Sequence, residues 1–254
     1  MPMNRREFLA VTGAVSAGLM LSNPARAAPG SRIQAVAFDG FTVFDPRPIG
    51  ALAENLFPGQ GQALTQTWRT RQFEYTWLRT LMGNYADFWQ VTEDALDFAI
   101  RQHHLELTGE KRERLMQSFL TLEAWPDAKE ALLQMKAAGL RLAFLSNFTA
   151  AMLEACVKHA GLEGIFEEHL STDRVRAFKP DPRAYQMGVN AFELPREQIA
   201  FAAFGGWDAA GAKAFGYPTF WVNRAAAPLE SLGVSADAVG ATLPDLAAFV
   251  LKSS

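Results

Sequence analysis

Short, continuously apolar runs alternate along the chain with segments whose apolar residues recur at helical spacing. Runs that are apolar on both faces predict buried strands, and these runs are 33–38, 140–145, 199–203 and 219–222. The helical segments are 126–138, 150–160, 182–192, 208–215 and 244–251, whereas 225–241 predicts a loop region. Buried strands that alternate with helices indicate a parallel sheet covered on both faces. The pattern therefore predicts an α/β fold.

Residues 49–120 follow a different pattern, because they contain no comparable strand run. Their apolar residues, including Trp68, Phe73 and Trp77, fall at helical spacing. The sequence therefore predicts a helical insert between the first and second strands.

Residues 1–27 have the layout of a bacterial signal peptide. Arg5 and Arg6 precede an apolar stretch, and Ala25-Arg26-Ala27 supplies small residues around a cleavage point. The arginine pair is typical of the twin-arginine type, so we expect a periplasmic protein. An N-terminal anchor helix is the alternative, although the apolar stretch is short for a membrane span. Later runs are no longer than this, so we expect no stable membrane insertion after processing.

Composition narrows the class of protein further. The 254 residues are 49% hydrophobic and 20% charged, with a net charge of −3, which excludes a disordered chain. This weak acidity argues against nucleic acid as a partner. The single cysteine, Cys156, cannot form an internal disulfide or a thiolate zinc site, so we expect it to pack in the core. The four histidines lack metal-ligand spacing, and we expect no metal site.

Polar residues follow the predicted strands at the points where the strands end. They are Asp39, the pair Ser146-Asn147 and Asp208, with Lys179-Pro180-Asp181 in a loop between elements. Ligands bind at the carboxyl edge of an open α/β sheet. Each feature alone is also common in turns and helix caps. Their combination points to a site at this edge.

In this order, the residues resemble the haloacid dehalogenase superfamily and, within it, the type II (S)-2-haloacid dehalogenases. The resemblance extends from about residue 33 to 223. It is carried by Ala37-Phe38-Asp39, Trp68-Arg69, Glu74-Tyr75-Thr76-Trp77-Leu78-Arg79, Leu145-Ser146-Asn147, Lys179-Pro180-Asp181 and Trp207-Asp208. It implies a Rossmann-like core, here 28–48 and 121–254, with a helical cap at 49–120. It also implies a homodimer that needs no cofactor.

The resemblance implies hydrolytic dehalogenation of a small anionic halogenated carboxylic acid. Asp39 would be the nucleophile that displaces halide from C2 and forms an ester, which water then cleaves. Lys179 would keep Asp39 ionised, since a nearby opposite charge favours the charged form. Arg69 would receive the halide. Asp208 would orient the lysine and the water.

The resemblance also implies substrate-binding residues of two kinds. Ser146 and Asn147 would hold the substrate carboxylate, and Tyr185 would lie in the surrounding layer. An aromatic wall would surround the substituent on C2, and its members are Phe41, Phe88 and Trp207. The same three rings would serve equally well as ordinary core residues.

Two stretches depart from the family pattern. Ala203 and Gly205 stand where relatives commonly carry Ser and Asn, which affects ester hydrolysis more than ester formation. The stretch from Asp39 to Asp45 is one residue shorter than the usual motif. Either Thr42 takes the place of the family threonine, or Val43 occupies it and the deletion lies later.

Two alternatives belong to other classes of function. A superfamily phosphatase would use Mg²⁺ and a second aspartate two residues after the first, but that position here is Phe41. A non-catalytic binding protein that kept the fold would agree with the changes at Ala203 and Gly205.

Overall fold

A computed structural model describes residues 32–252, and its strands form one sheet. The predicted signal peptide lies outside the described residues. All strand pairs within the described range are parallel, in the order β3-β2-β1-β4-β5-β6. The strands are β1 (Ala35–Phe38), β2 (Arg141–Ser146), β3 (Glu168–Ser171), β4 (Ile199–Ala203), β5 (Thr219–Val222) and β6 (Ala238–Gly240). The predicted α/β class is confirmed.

The two edge strands are the ones that the apolar pattern missed. β4 and β5 have the predicted bounds, and β1 and β2 differ by one or two residues at their ends. β3 begins with exposed and half-buried residues, and no residue of β6 is fully buried. The prediction of a loop over 225–241 was therefore wrong at β6, because an edge strand needs no continuous apolar run.

Helices occupy the chain between β1 and β2. The first five are α1 (Gly40–Val43), α2 (Arg47–Leu56), α3 (Gly61–Met82), α4 (Phe88–Gln102) and α5 (Gly109–Gln117), and a short 3₁₀ helix and one further α-helix follow. Helix α3 packs against both α2 and α4. A Cβ at Gly61 would lie 2.2 Å from the Cα of Glu54, so the α2–α3 approach requires glycine. The segment that the sequence predicted as helical is helical in the structure.

Five further helices cover the sheet, and their ends follow ordinary capping chemistry. They are α6 (Ala128–Ala137), α7 (Ala150–His159), α8 (Pro182–Phe192), α9 (Gly206–Phe215) and α10 (Leu243–Lys252). Thr149 accepts a hydrogen bond from the Met152 N–H at the start of α7, and Asp181 accepts one from Arg183 at the start of α8. No described helix combines the length and the apolar character that a membrane span requires.

Apolar residues pack on both faces of the sheet. Val36 and Phe38 of β1 belong to one cluster, and Ala35 and Ala37 belong to the other, as expected for alternating side chains. Cys156 is buried, with its Sγ 3.2 Å from the carbonyl oxygen of Phe119, and burial raises its pKa to about 11. Since β1 lies between β2 and β4, residues that follow these three strands share one edge.

Candidate active site

Asp39 directly follows the central strand β1. Its N–H donates to the carbonyl oxygen of Ala202, which ties it to β4. Its Oδ1 accepts the N–H of Phe41 at 2.9 Å, so the carboxylate caps the short helix α1. The side chain is 13% exposed. The carboxylate is therefore held in one orientation while part of it stays accessible.

Lys179 is fully buried and contacts two carboxylates. Its Nζ lies 2.8 Å from Oδ2 of Asp39 and 2.6 Å from Oδ2 of Asp208. Its main-chain N–H donates to Oδ1 of Asn147 at 3.1 Å. A buried charge of this kind requires partners. The loop after β3 places the lysine between two carboxylates that belong to different elements.

Asp208, in the first turn of α9, is also buried, and each of its carboxylate oxygens accepts a hydrogen bond. Its Oδ1 accepts the hydroxyl of Tyr185 at 2.7 Å, while its Oδ2 faces Lys179. Tyr185, in α8, is fully buried, and the Tyr217 hydroxyl donates to its carbonyl oxygen. The hydrogen-bonded series Tyr185–Asp208–Lys179–Asp39 thus connects α8, α9, the loop after β3 and the end of β1.

The electrostatics of this series follow from burial and proximity. Burial alone would lower the pKa of Lys179, but Asp208 and Asp39 outweigh it and raise the pKa, so the ammonium stays charged. Burial raises the pKa of Asp208 to about 6, although Lys179 opposes the shift. Burial beside Asp208 keeps the pKa of Tyr185 well above its ordinary value. Tyr185 is therefore a neutral donor.

Ser146 and Asn147 end β2 beside Asp39, and both are buried. Ser146 Oγ accepts the N–H of Phe148 at 3.2 Å. A Cβ at Gly40 would lie 3.1 Å from this Oγ, so Gly40 allows the turn after Asp39 to lie against Ser146. The structure thus gives Asn147 a second task, since its side chain fixes the loop that carries Lys179.

Thr42 lies on the same short helix as Phe41 and is fully buried. Its hydroxyl donates to the carbonyl oxygen of Asp39 at 2.6 Å. Thr42 therefore stabilises the turn that follows Asp39.

Arg69 projects from α3 into two neighbouring cavities. Within residues 32–252 its guanidinium has no ion-pair partner, and its Cζ lies 5.9 Å from the ring centroid of Phe204. Desolvation lowers the pKa of Arg69 from its ordinary value, yet an arginine stays protonated in a protein. This unpaired cation is suited to binding an anion.

The smaller cavity, which we call the inner chamber, has a volume of about 170 Å³. Its walls are mostly apolar and include Phe41, Ile49, Trp68, Arg69, Gln72, Phe73, Phe119 and Phe204. Asp39 and Lys179 are not wall residues, but the hydrogen bond from Phe41 to Asp39 joins the chamber to the buried charges. The chamber thus combines an apolar space with the unpaired guanidinium of Arg69, and Phe41 links its wall to Asp39.

Of the three predicted wall residues, only Phe41 lines the inner chamber. Phe88 is fully buried and stacks on Phe148, which in turn contacts Phe41. Trp207 lines the larger cavity, which we call the outer cleft, and packs on Phe73 and Trp77 of α3. Phe88 therefore supports the chamber from behind, and Trp207 lies at the approach to it.

Phe204 is one of the wall residues that sequence reasoning missed. It follows β4 directly, lines both cavities, and its ring centroid lies 5.8 Å from that of Phe41. The available signal was a large aromatic residue between Ala203 and Gly205, the two positions that depart from the family pattern.

The histidines take part in ordinary polar contacts. His103 Nε2 lies 2.8 Å from the Thr67 hydroxyl, and His159 Nε2 lies 3.0 Å from Glu123. Among the residues that the structure describes, no group of three or more His, Cys, Asp or Glu side chains is arranged to hold a metal ion.

Comparison with known proteins points to one family. Residues 29–216 match the family model of the haloacid dehalogenase-like hydrolases. The chain is 40% identical over 206 residues to an (S)-2-haloacid dehalogenase from Pseudomonas sp. (strain YL), covering 81% of this chain and 89% of the relative.

Two solved structures are also similar. The L-2-haloacid dehalogenase RSc1362 is 43% identical, with a TM-score of 0.85 over 87% of this chain and 99% of that one. The L-2-haloacid dehalogenase from Xanthobacter autotrophicus with chloropropionic acid covalently bound is 33% identical, with a TM-score of 0.80 over 87% of this chain and 100% of that one.

Proposed function

The chain belongs to the haloacid dehalogenase-like hydrolases, and within them to the (S)-2-haloacid dehalogenases, and we propose that it converts short (S)-2-haloacids to 2-hydroxyacids. It is a hydrolase that acts on carbon–halogen bonds. The single observation that carries the proposal is the partly exposed Asp39 carboxylate, which is ion-paired with a fully buried lysine beside an apolar chamber.

In the first step, a carboxylate oxygen of Asp39 attacks C2 of the substrate opposite the halogen. A carbon–oxygen bond forms, the carbon–halogen bond breaks, and the halide leaves with the bonding electrons. Lys179 donates a hydrogen bond to the carboxylate and pairs with its charge, and the Phe41 N–H fixes its orientation. Arg69 stabilises the negative charge that develops on the leaving halide, because its guanidinium has no competing carboxylate among the described residues.

In the second step, water attacks the carbonyl carbon of the ester. The bond between that carbon and the oxygen attached to C2 breaks, so the product leaves as a hydroxyacid that keeps this oxygen. The Asp39 carboxylate is regenerated with an oxygen from water, and one proton is released. We assign to Asp208 the orientation of Lys179 and the water. The support is its hydrogen bonds to Lys179 and Tyr185. Tyr185 and Thr42 act as positioning residues through Asp208 and the Asp39 turn.

The end of β2 is the proposed seat of the substrate carboxylate. Ser146 Oγ already accepts the N–H of Phe148, so its own O–H remains able to donate. Asn147 contributes its main-chain N–H, because its side-chain oxygen is engaged by Lys179.

The test is halide release from (S)-2-chloropropionate without added metal, compared between wild type and Asp39→Asn. Asp94→Asn, in α4, is the matched control, because Asp94 pairs with Arg79 away from the site. Halide release by the wild type and the control alone supports the proposal. In a parallel assay with a phosphate monoester, release of phosphate that depends on added Mg²⁺ would instead indicate the phosphatase. Neither activity would indicate a binding protein.

We also propose export to the periplasm by the twin-arginine route. The support is the order of Arg5-Arg6, the apolar stretch and Ala25-Arg26-Ala27, together with a family match that begins only at residue 29. N-terminal sequencing of periplasmic protein should begin at Ala28. Changing both arginines to lysine should retain the precursor in the cytoplasm, and periplasmic protein from that variant would contradict the proposal.

The division into a core and a cap and the homodimer remain proposals. Helices α2–α5 would form the cap over the edge of the sheet that carries Asp39, since α3 supplies Arg69. Light scattering of the mature protein measures the oligomeric state, and a monomer mass would contradict the homodimer.

A further inference from the structure

The inner chamber and the outer cleft are neighbours that share part of their walls. Six residues line both: Arg47, Gly50, Thr65, Arg69, Phe73 and Phe204. The chamber is about 170 Å³, and the cleft is about 1060 Å³ and open. Pockets for drug-sized ligands measure about 300–1,000 Å³. The chamber alone therefore suits a small acid, whereas the two spaces together would accept a much larger substituent.

Phe204 is fixed at this shared wall from both sides. Its carbonyl oxygen accepts the indole N–H of Trp221 at 3.0 Å, and its ring contacts Phe41 and Arg69. The chain leaves β4 immediately before it and enters α9 immediately after Gly205. The ring therefore has little freedom to withdraw.

Trp207 occupies the space beside Gly205, the residue that follows Phe204. A Cβ at Gly205 would lie 2.7 Å from Nε1 of Trp207, so the indole already fills the position of a side chain at residue 205. Trp207 is in turn packed on Phe73 and Trp77 of α3. The missing side chain at Gly205 thus leaves no gap into which Phe204 could move.

We propose that Phe204 is a specificity-determining residue, which limits the size of the C2 substituent by separating the inner chamber from the outer cleft. The inference rests on the proposed dehalogenase function and assigns this chain to acids with short substituents. Removal of the ring would join the two cavities, and a longer apolar chain would then extend into the outer cleft, between Phe73, Trp77 and Trp207.

The test compares (S)-2-bromopropionate with (S)-2-bromohexanoate, which share a leaving group and differ only in chain length. The ratio of kcat/KM for the long acid to that for the short acid should rise at least about tenfold in Phe204→Ala, mainly through a lower KM for the long acid. Phe204→Leu, a milder change, should move the ratio in the same direction if Phe204→Ala folds poorly.

The matched control is Phe98→Ala. Phe98 is half-buried in α4, carries the guanidinium of Arg71 over its ring at 4.3 Å, and lines neither cavity. Its ratio should equal that of the wild type. An unchanged ratio in both Phe204 variants, or an equal change in Phe98→Ala, would overturn the proposal.

Binding of propionate and hexanoate, measured by calorimetry, separates this inference from the proposed function. Bromide release by the wild type tests the function, whereas binding needs no turnover. Phe204→Ala should bind hexanoate more tightly relative to propionate than the wild type does. An unchanged preference would overturn the size limit even if the enzyme proved inactive.

Discussion

The Nζ atom of Lys179 lies 2.8 Å from Oδ2 of Asp39, and the lysine side chain is completely buried. A second carboxylate, Asp208, lies 2.6 Å from the same nitrogen. One buried ammonium therefore pairs with Asp39 and connects it to a residue of α9. The stability and the pH dependence of the enzyme both follow from this arrangement.

Removal of the lysine charge should destabilise the fold. Lys179→Met would leave Asp39 and Asp208 facing each other without a cation, which costs about 3–5 kcal/mol when a buried pair is broken. Lys179→Met combined with Asp208→Asn should recover part of that loss, because it removes one of the uncompensated charges. Urea unfolding measures the stability of the single and the double variant. Equal stability of the two would contradict the energetic coupling between Lys179 and Asp208.

The rate should fall as the pH decreases through about 6. The reason is that burial raises the pKa of Asp208 to about 6, and a protonated Asp208 no longer accepts from Lys179. This fall in rate at low pH should be absent from the residual activity of Asp208→Asn. Asp173→Asn is the control, since the pKa of Asp173 is also raised by burial but Asp173 pairs with Tyr85 outside the site. If the rate of Asp208→Asn still fell through about pH 6, the assignment of this fall to Asp208 would be contradicted.

The free energy of unfolding should also depend on Asp208, but it should decrease as the pH rises, whereas the rate should increase. The folded pKa of Asp208 lies above the unfolded value of about 3.9, so folding takes up a proton between these pH values. Its contribution to stability is fully present below about pH 4 and is lost as the pH rises through about 6. The difference between the urea midpoints of the wild type and Asp208→Asn should therefore change between about pH 4 and pH 6. A difference that stays constant over this range would contradict the contribution of Asp208.

Arg69→Lys should lose about a hundredfold in kcat, because a lysine cannot reproduce the fork of donors that receives the halide. Arg71→Lys is the matched control on the same helix, where Arg71 pairs with Glu74 at the surface. Halide release under saturating substrate measures both variants. Near-normal kcat in Arg69→Lys would reassign the leaving-group role.

The ester should accumulate during turnover, because Ala203 and Gly205 lack the Ser and Asn side chains that relatives commonly carry. Intact-protein mass spectrometry at steady state should show an adduct on Asp39 with the mass of the dehalogenated substrate. Detection of free enzyme alone would indicate that the two changes do not slow hydrolysis.

Continuous apolar runs made β4 and β5 predictable to the residue, because these inner strands are buried on both faces. The edge strands β3 and β6 carried no such signal. The meeting of Asp39 and Asp208 followed from the order of strand ends, since parallel strands bring their carboxyl ends to one edge. Lys179 lies in a loop, and only the family resemblance predicted its place beside them.

Other parts of the site depend on contacts that have no local pattern. The hydrogen bond from Lys179 N–H to Asn147 is set by how two loops meet, and the place of Phe88 behind Phe148 is set by packing across α4. Phe204 lies between β4 and α9, where packing and not a local pattern sets the direction of the side chain.

The central claim is that Asp39 forms a covalent ester, and isotope transfer tests it most directly. A single turnover of (S)-2-chloropropionate with excess enzyme is run in ¹⁸O-labelled water, and the peptide that contains Asp39 is analysed by mass spectrometry. The account predicts ¹⁸O in the Asp39 carboxylate and unlabelled hydroxyl oxygen in the product. Label in the product hydroxyl and none in Asp39 would mean direct attack by water on C2, and would contradict the account.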